Sequence, residues 1–175
     1  MADAMKISVI KIKESTTVDG PGLRTSIYCA GCANACPGCH NPQTWDINAG
    51  TMMDIDEIMS KIEAEDFCDV TFTGGDPMFQ AKGFAELAKR IKNTTNKNIW
   101  CYTGYTFEEC LANTERRELL KLVDILVDGR FNLSLRNTDL LFKGSENQRI
   151  IDVQASLGCG KVILYDPSEG LLPEI

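Results

Sequence analysis

The sequence predicts an α/β protein whose mainly parallel sheet forms an open, partial (β/α) barrel. Strand-like apolar runs alternate with segments of helical periodicity, which is the pattern of βαβ units. The chain has 175 residues, and a complete eight-fold barrel needs roughly 250 residues. Apolar residues make up 43% and charged residues 25% of the chain, as in an ordinary globular domain. We therefore expect a single domain over residues 1–175 and a sheet that stays open.

The first half of the chain contains three strand-like runs and two helical stripes. Ile55, Ile58 and Ile62 recur at helical spacing behind Asp54, which is a good N-cap residue. The predicted elements are a strand at 6–13, a tight turn at 19–22, a strand at 23–29, a helix at 54–64, a short buried strand at 69–73 and a helical stripe at 84–91.

The second half continues the alternation but contains one long polar segment. The predicted elements are a strand at 98–103, helices at 106–113 and 115–122, a strand at 124–128 and late strands at 150–153 and 161–165. Residues 131–149 show neither the helical nor the strand periodicity of apolar residues. A segment of this length inside a compact domain indicates a functional loop.

Four polar segments follow directly after predicted strands. They are the cysteine loop at 32–39, Gly74-Gly75-Asp76-Pro77, Thr103-Gly104 and Asp128-Gly129-Arg130. Active sites of parallel α/β folds lie at the carboxyl ends of the strands. We therefore expect these four segments to meet on one face of the protein.

Charge and hydropathy exclude several functional classes. The net charge of −7 argues against non-specific binding to nucleic acid or to anionic membranes. No window approaches the roughly 18 continuous apolar residues of a membrane span, and the start of the chain lacks the pattern of a signal peptide. We expect a cytoplasmic protein, in which the eight cysteines serve as thiols or metal ligands rather than as disulfides.

Three cysteines form the segment Cys32-Ala-Asn-Ala-Cys36-Pro-Gly-Cys39, just after a strand-like run. Such a loop is typical of a metal centre, and several centres are compatible with it. Cys36-Pro-Gly-Cys39-His40 matches the attachment pattern of c-type haem. That pattern usually belongs to exported proteins, and it leaves Cys32 without a role.

Zinc and iron–sulfur centres are the other two alternatives. Structural zinc needs four Cys or His ligands, usually in two pairs, and Cys29 is the only nearby thiol that could complete such a set. A [4Fe–4S] cluster on three thiolates would leave one iron open to a substrate or cofactor. With Cys29 as fourth ligand, the chain would instead be a ferredoxin-like electron carrier. Cys29 ends an apolar strand face, so we favour a core position for it, and we interpret Cys68, Cys101, Cys110 and Cys159 as structural.

These residues resemble a known family. Cys32-x-x-x-Cys36-x-x-Cys39 resembles the signature of radical S-adenosylmethionine enzymes. The flanking segments Asp19-Gly-Pro-Gly-Leu-Arg24, Cys39-His-Asn41 and Thr44-Trp45 look like those of the glycyl-radical-enzyme activases. The resemblance covers residues from about 15 to 155, and it implies a partial (β/α) barrel of the radical S-adenosylmethionine type.

The resemblance implies two cofactors and a set of residues around them. Cys32, Cys36 and Cys39 would bind a [4Fe–4S] cluster whose open iron chelates S-adenosylmethionine, and cleavage of the sulfonium would give a 5′-deoxyadenosyl radical. Thr73, Gly74, Gly75 and Asp76 would hold the methionine ammonium, with Asp76 where the family usually has glutamate. Asp128 would bond the ribose hydroxyls. Further expected cofactor contacts are Arg130 (the methionine carboxylate, with a candidate catalytic role), His40, Asn41, and Gly38, where the family usually has an aromatic residue.

The resemblance also implies the partners. Phe142-x-Gly144-Ser145-x-Asn147-Gln148-Arg149, followed by Ile150-Ile151-Asp152-Val153, looks like the branch that acts on anaerobic ribonucleoside-triphosphate reductase. The substrate would be a glycine in the large glycyl-radical subunit of that enzyme, with residues 19–22 and 131–149 as the docking rim. A low-potential donor such as flavodoxin would supply electrons. The alternatives are another glycyl radical enzyme as partner, or a radical enzyme acting on a small substrate.

Overall fold

The computed structural model describes residues 4–169, which form a seven-stranded sheet with helices. The strands are β1 (Lys6–Thr16), β2 (Arg24–Cys29), β3 (Thr51–Asp54), β4 (Asp69–Gly74), β5 (Ile99–Tyr102), β6 (Ile125–Asp128) and β7 (Arg149–Asp152). The α-helices are α1 (Ile55–Glu63), α2 (Ala81–Thr94), α3 (Phe107–Ala112), α4 (Thr114–Leu120) and α5 (Val153–Cys159).

The strand order is β3-β1-β2-β4-β5-β6-β7, and the sheet is open. The central strands β2, β4, β5 and β6 are parallel. The edges are antiparallel, since β1 pairs this way with β2 and β3, and β7 with β6. The prediction of an α/β protein with an open sheet is confirmed, and the parallel arrangement holds for the four central strands.

The main hydrophobic core lies between the sheet and the helices. Phe72, Ile99 and Leu126 on the strands pack in one cluster with Phe84 and Leu87 of α2, all of them fully buried. Burying a side chain of this size contributes about 1.5–3 kcal/mol. Because side chains alternate along a strand, the neighbouring residues face the other side of the sheet. There Trp100, Ile125, Val127 and Ile150 form a second, smaller cluster.

A buried arginine connects the 19–22 turn by hydrogen bonds to the face of the sheet that carries the second cluster. Arg24 is 1% exposed. Its guanidinium donates to Thr71 Oγ1 at 2.7 Å and to the carbonyl oxygen of Pro21 at 3.1 Å. The same guanidinium lies over the ring of Trp100. The turn is therefore held across the sheet, and Tyr28, near the carboxyl end of β2, donates to Asp19 Oδ2 at 2.5 Å.

The last part of the chain differs from the prediction. The strand expected at 161–165 is wrong, because the structure has only a single bridge there, between Ile151 and Leu164. The helix α5 follows β7 directly and was not predicted. Asp152 ends β7 and caps this helix, with its side chain accepting from the Ala155 N–H. β3 was also missed, since two of its four residues are exposed, the other two are half-buried, and the apolar residues do not alternate.

Among residues 4–169, no helix combines the length and the apolar character that crossing a membrane requires.

Candidate cofactor site

One cavity of about 410 Å³ lies at the carboxyl ends of the parallel strands. Its walls come from the cysteine loop, from the residues that follow β4 and β5, from the 19–22 turn and from the 131–149 segment. The lining residues are Val18, Asp19, Cys32, Asn34, Cys36, Cys39, His40, Asn41, Thr73, Gly74, Gly75, Asp76, Tyr102, Thr103, Gly104, Phe131, Leu140, Phe142, Lys143, Gly144 and Gln148. The predicted convergence of strand ends is therefore present for the first three of the four segments.

The cysteine loop and the β4 loop are stacked backbone to backbone. The Asp76 N–H donates to the Gly31 carbonyl oxygen at 2.8 Å, and the Gly75 N–H donates to the Cys29 carbonyl oxygen at 2.8 Å. Gly74 has a φ of +102°, and a Cβ added at Gly75 would lie 2.5 Å from the Gly31 oxygen. Only glycine fits both the backbone conformation at Gly74 and the close approach at Gly75.

All three thiols of the loop are free and partly exposed on the cavity wall. Burial raises the pKa of Cys32 and of Cys36, so a bound cation would be needed to favour their thiolate forms at neutral pH. The Asn41 N–H donates to Cys39 Sγ at 3.4 Å. Among residues 4–169, no three Cys, His, Asp or Glu side chains are close enough to hold a single metal ion. A four-iron cluster binds each thiolate through a separate iron, and this donor set fits it.

Cys29 belongs to the hydrophobic core and not to the cavity. It is fully buried and packs in the same cluster as Phe72 and Leu87. Burial also raises the pKa of the Cys29 thiol well above its usual value. Cys68, Cys101 and Cys110 are likewise buried, and only Cys159, at the end of α5, is exposed. The structure thus places these five thiols away from the cavity lining.

Asp76 is the buried acid of the site. Its Oδ2 accepts hydrogen bonds from Asn34 Nδ2 at 2.9 Å, Thr103 Oγ1 at 3.0 Å and the Gly104 N–H at 3.0 Å, while Oδ1 accepts from the Met78 N–H at 2.9 Å. Burial outweighs these four bonds and raises the pKa of Asp76 to about 6. The carboxylate therefore joins the cysteine loop to the ends of β4 and β5.

Asn34 is a site residue that the sequence analysis missed. Besides its bond to Asp76, its Oδ1 accepts from Arg130 Nε at 3.1 Å, and its Nδ2 lies 3.8 Å from Cys32 Sγ. An asparagine between two alanines in a loop gives no sequence signal of such contacts. These contacts arise because the fold brings the ends of three strands next to the loop.

The structure places Asp128 and Arg130 outside the cavity lining. Asp128 is 1% exposed, and its carboxylate accepts from Arg149 Nε at 3.0 Å and from the Phe107 N–H at 2.7 Å. Arg130 contacts Asn34 and lies 3.9 Å from Glu109. Asp128 is paired with Arg149, which faces it across the β6–β7 pair, and its bond to the ribose hydroxyls stays a prediction. Arg130 supports the cysteine loop.

Gly38 is likewise not among the residues that line the cavity. Its φ is +75°, and a Cβ at this position would lie 2.9 Å from Cδ1 of Leu133. Nearby, the His40 and Phe131 rings are 5.3 Å apart between centroids. The 131–149 segment thus contacts the cysteine loop at Gly38 through Leu133 and lines the cavity at Phe131.

Comparison with known proteins places this site in a family. Residues 18–151 match the family model described as a 4Fe-4S single cluster domain. The anaerobic ribonucleoside-triphosphate reductase-activating protein of Pasteurella multocida (strain Pm70) is 36% identical over 144 residues, which cover 76% of this chain and 89% of the relative. The chain belongs to the family of anaerobic ribonucleoside-triphosphate reductase-activating proteins.

Other members of the same family agree with this assignment. The activating protein of Enterobacteria phage T4 is 35% identical over 139 residues, covering 76% of this chain and 86% of its own length. The activating protein of Escherichia coli (strain K12) is 33% identical over 139 residues, which cover 75% of this chain and 89% of the relative. The family match extends from the 19–22 turn through the cysteine loop to β7. This match supports an iron–sulfur cofactor in the chain.

Proposed function

We propose that this chain activates an anaerobic ribonucleoside-triphosphate reductase by radical chemistry. A [4Fe–4S] cluster on Cys32, Cys36 and Cys39, with S-adenosylmethionine on its open iron, would supply a 5′-deoxyadenosyl radical that removes one α-hydrogen from a glycine of the large reductase subunit. The observation that carries this proposal is that all three thiols and the Thr73–Asp76 segment line a single cavity. On this proposal the open sheet would be the partial (β/α) barrel of a radical S-adenosylmethionine enzyme, in one domain.

The β4 loop supplies what the methionine end of the cofactor needs. Thr73, Gly74 and Gly75 present backbone at the cavity wall without bulky side chains, so their carbonyl groups can accept hydrogen bonds from an ammonium group. The Asp76 carboxylate lies behind them and provides charge complementarity. Its pKa of about 6 leaves it ionised at neutral pH.

The other walls orient the cofactor and exclude water. Phe131, Leu140 and Phe142 give the cavity an apolar side, which lowers the local dielectric constant and strengthens the polar contacts inside. His40 and Asn41 border the cysteine loop on the cavity side and would support the cluster or the cofactor. Arg130 would act on the cluster loop through its bond to Asn34, and its contact with the methionine carboxylate stays a prediction.

The partner would approach through the mouth of the cavity. Val18, which is 65% exposed, Asp19 of the 19–22 turn and Leu140 of the 131–149 segment line the cavity, so these two segments would form the mouth. The glycine-bearing segment of the large subunit would dock on this rim. A low-potential flavodoxin-type protein would supply the electron.

The proposal is tested with anaerobically reconstituted protein, a reductant and S-adenosylmethionine. We expect 5′-deoxyadenosine to form, and addition of the large reductase subunit from the same source to give a glycyl radical signal in electron paramagnetic resonance. A Cys36→Ala variant is the matched control and should give neither product. A reducible cluster that never yields 5′-deoxyadenosine would overturn the proposal in favour of an electron carrier. Formation of 5′-deoxyadenosine without a radical on the reductase would overturn the assignment of the partner.

A further inference from the structure

Asn34 lies between the first two cysteines of the loop and contacts the ends of three strands. Nδ2 donates to Asp76 after β4, Oδ1 accepts from Arg130 after β6, and the side chain packs against Gly104 after β5. A Cβ added at Gly104 would lie 2.7 Å from Asn34 Cγ and closer still to Nδ2. Within residues 32–39, which the structure describes in full, Asn34 is the residue whose side chain hydrogen-bonds to the strand ends, so it is the main side-chain attachment of the loop to the sheet.

The chemistry of the neighbours fixes the orientation of the Asn34 carboxamide. A guanidinium has donors only, and an ionised carboxylate has acceptors only. Oδ1 must therefore face Arg130, and the two Nδ2 hydrogens must face Asp76 and Cys32 Sγ, which lies 3.8 Å away. Aspartate at this position would turn an acceptor towards Asp76, and alanine would remove one hydrogen-bond partner from Asp76, from Arg130 and from Cys32.

We propose that Asn34 is a positioning residue for the iron–sulfur cluster. Its carboxamide fixes the Cys32 side of the loop against the strand ends and presents an N–H to the Cys32 sulfur. Hydrogen bonds to cluster sulfurs stabilise the reduced, more negative state and so raise the reduction potential. This inference rests on the three-cysteine cluster of the proposed function.

The test compares reconstituted holoprotein carrying Asn34→Ala, Asn34→Asp or Gly104→Ala with the unaltered chain. Gly104→Ala changes neither Asn34 nor the three cysteines, but its added methyl group would displace the Asn34 carboxamide. The control is Asn48→Ala, which removes an exposed asparagine that bonds only Asp46. Folding is checked by circular dichroism, and the cluster is measured by iron content, midpoint potential and the electron paramagnetic resonance spectrum of the reduced state.

We expect the midpoint potential to shift to more negative values in Asn34→Ala and Gly104→Ala, and further in Asn34→Asp, which adds a negative charge. The spectrum should change with it, and Asn48→Ala should match the unaltered protein. A folded variant that no longer retains a cluster also supports the proposal. If the Asn34 variants do not fold, Gly104→Ala decides by the same readouts.

Unchanged potential and spectrum in folded, fully loaded variants would overturn the role of Asn34. A different result would count against the proposed function: an unaltered chain that takes up no cluster, or one that keeps its cluster when Cys32 is replaced. The two failures are therefore distinguishable in one set of samples.

Discussion

Arg149 Nε donates to the Asp128 carboxylate at 3.0 Å, and the two residues face each other across the β6–β7 pair. The other carboxylate oxygen accepts from the Phe107 N–H at 2.7 Å, at the start of α3. Arg149 also donates a hydrogen bond from Nη2 to Oε2 of Glu108 at 2.8 Å. One buried acid thus joins the last parallel strand to its antiparallel neighbour and to a helix.

Replacing Arg149 with alanine should destabilise the fold strongly. Asp128 is 1% exposed, so loss of its partner leaves a buried carboxylate without its counter-ion, which typically costs about 3–5 kcal/mol. We expect a loss of about 3 kcal/mol in the free energy of unfolding, at the low end of this range, because the arginine itself is partly exposed. Urea denaturation of the cluster-free protein measures it.

A matched control separates this effect from the loss of any surface ion pair. Lys121 and Glu118 form an exposed pair with side chains 52% and 57% accessible, and Lys121→Ala should leave the urea midpoint unchanged. Equal midpoints for Arg149→Ala and Lys121→Ala would show that the buried pair does not stabilise the protein.

Patterns that act over a few residues predicted most of the fold. The helical spacing of Ile55, Ile58 and Ile62 led to α1, and the buried run at 69–73 led to β4. The meeting of the cysteine loop with Gly74–Asp76 followed from parallel strands having a common carboxyl edge. These inferences need only the period of side chains and the direction of the strands.

The roles of individual polar residues at that edge could not be predicted in the same way. Asp128 follows a strand, as Asp76 does, and the two were expected to serve the same cofactor. In the structure Asp76 lines the cavity, whereas Asp128 is bonded to Arg149, which is 21 residues away and becomes a partner only through the register of β7. Asn34 was missed for the same reason, since Arg130 is separated from it by 96 residues.

Gly38→Ala should weaken the protein through its backbone. A side chain at a φ of +75° is strained, and a left-handed conformation costs a non-glycine residue about 1–2 kcal/mol. The new methyl group would also meet Leu133, but that side chain is 53% exposed and can move away. We expect urea denaturation to show a loss of about 1–2 kcal/mol in the free energy of unfolding.

The double variant Gly38→Ala with Leu133→Ala distinguishes strain from contact. Backbone strain predicts no recovery when Leu133 is shortened, whereas full recovery would assign the effect to the contact. Gly158→Ala is the glycine control, because nothing lies within 4 Å of its Cβ position in α5. Alanine there should raise stability by about 0.5–1 kcal/mol.

Cys29→Ala should leave the cluster intact. The thiol is fully buried in the hydrophobic core, and alanine keeps an apolar side chain there. After anaerobic reconstitution we expect about four irons per chain, as in the unaltered protein, whereas Cys32→Ala, Cys36→Ala and Cys39→Ala should each lose the stable cluster. Loss of iron from a folded Cys29→Ala protein would identify a fourth ligand and support an electron carrier.

Asp76 should make the stability of the cluster-free protein depend on pH. Its pKa is about 6 in the folded chain, raised by burial from 3.8, so the folded state binds the proton more tightly than the unfolded state. The resulting stabilisation is fully present below about pH 4 and is lost as the pH rises to about 6, a change of about 3 kcal/mol. Asp76→Asn cannot titrate. Relative to Asp76→Asn, the unaltered chain should therefore lose about 3 kcal/mol in the free energy of unfolding between pH 4 and pH 7. A difference that does not change with pH would mean that the four hydrogen bonds to Asp76 fully offset its burial.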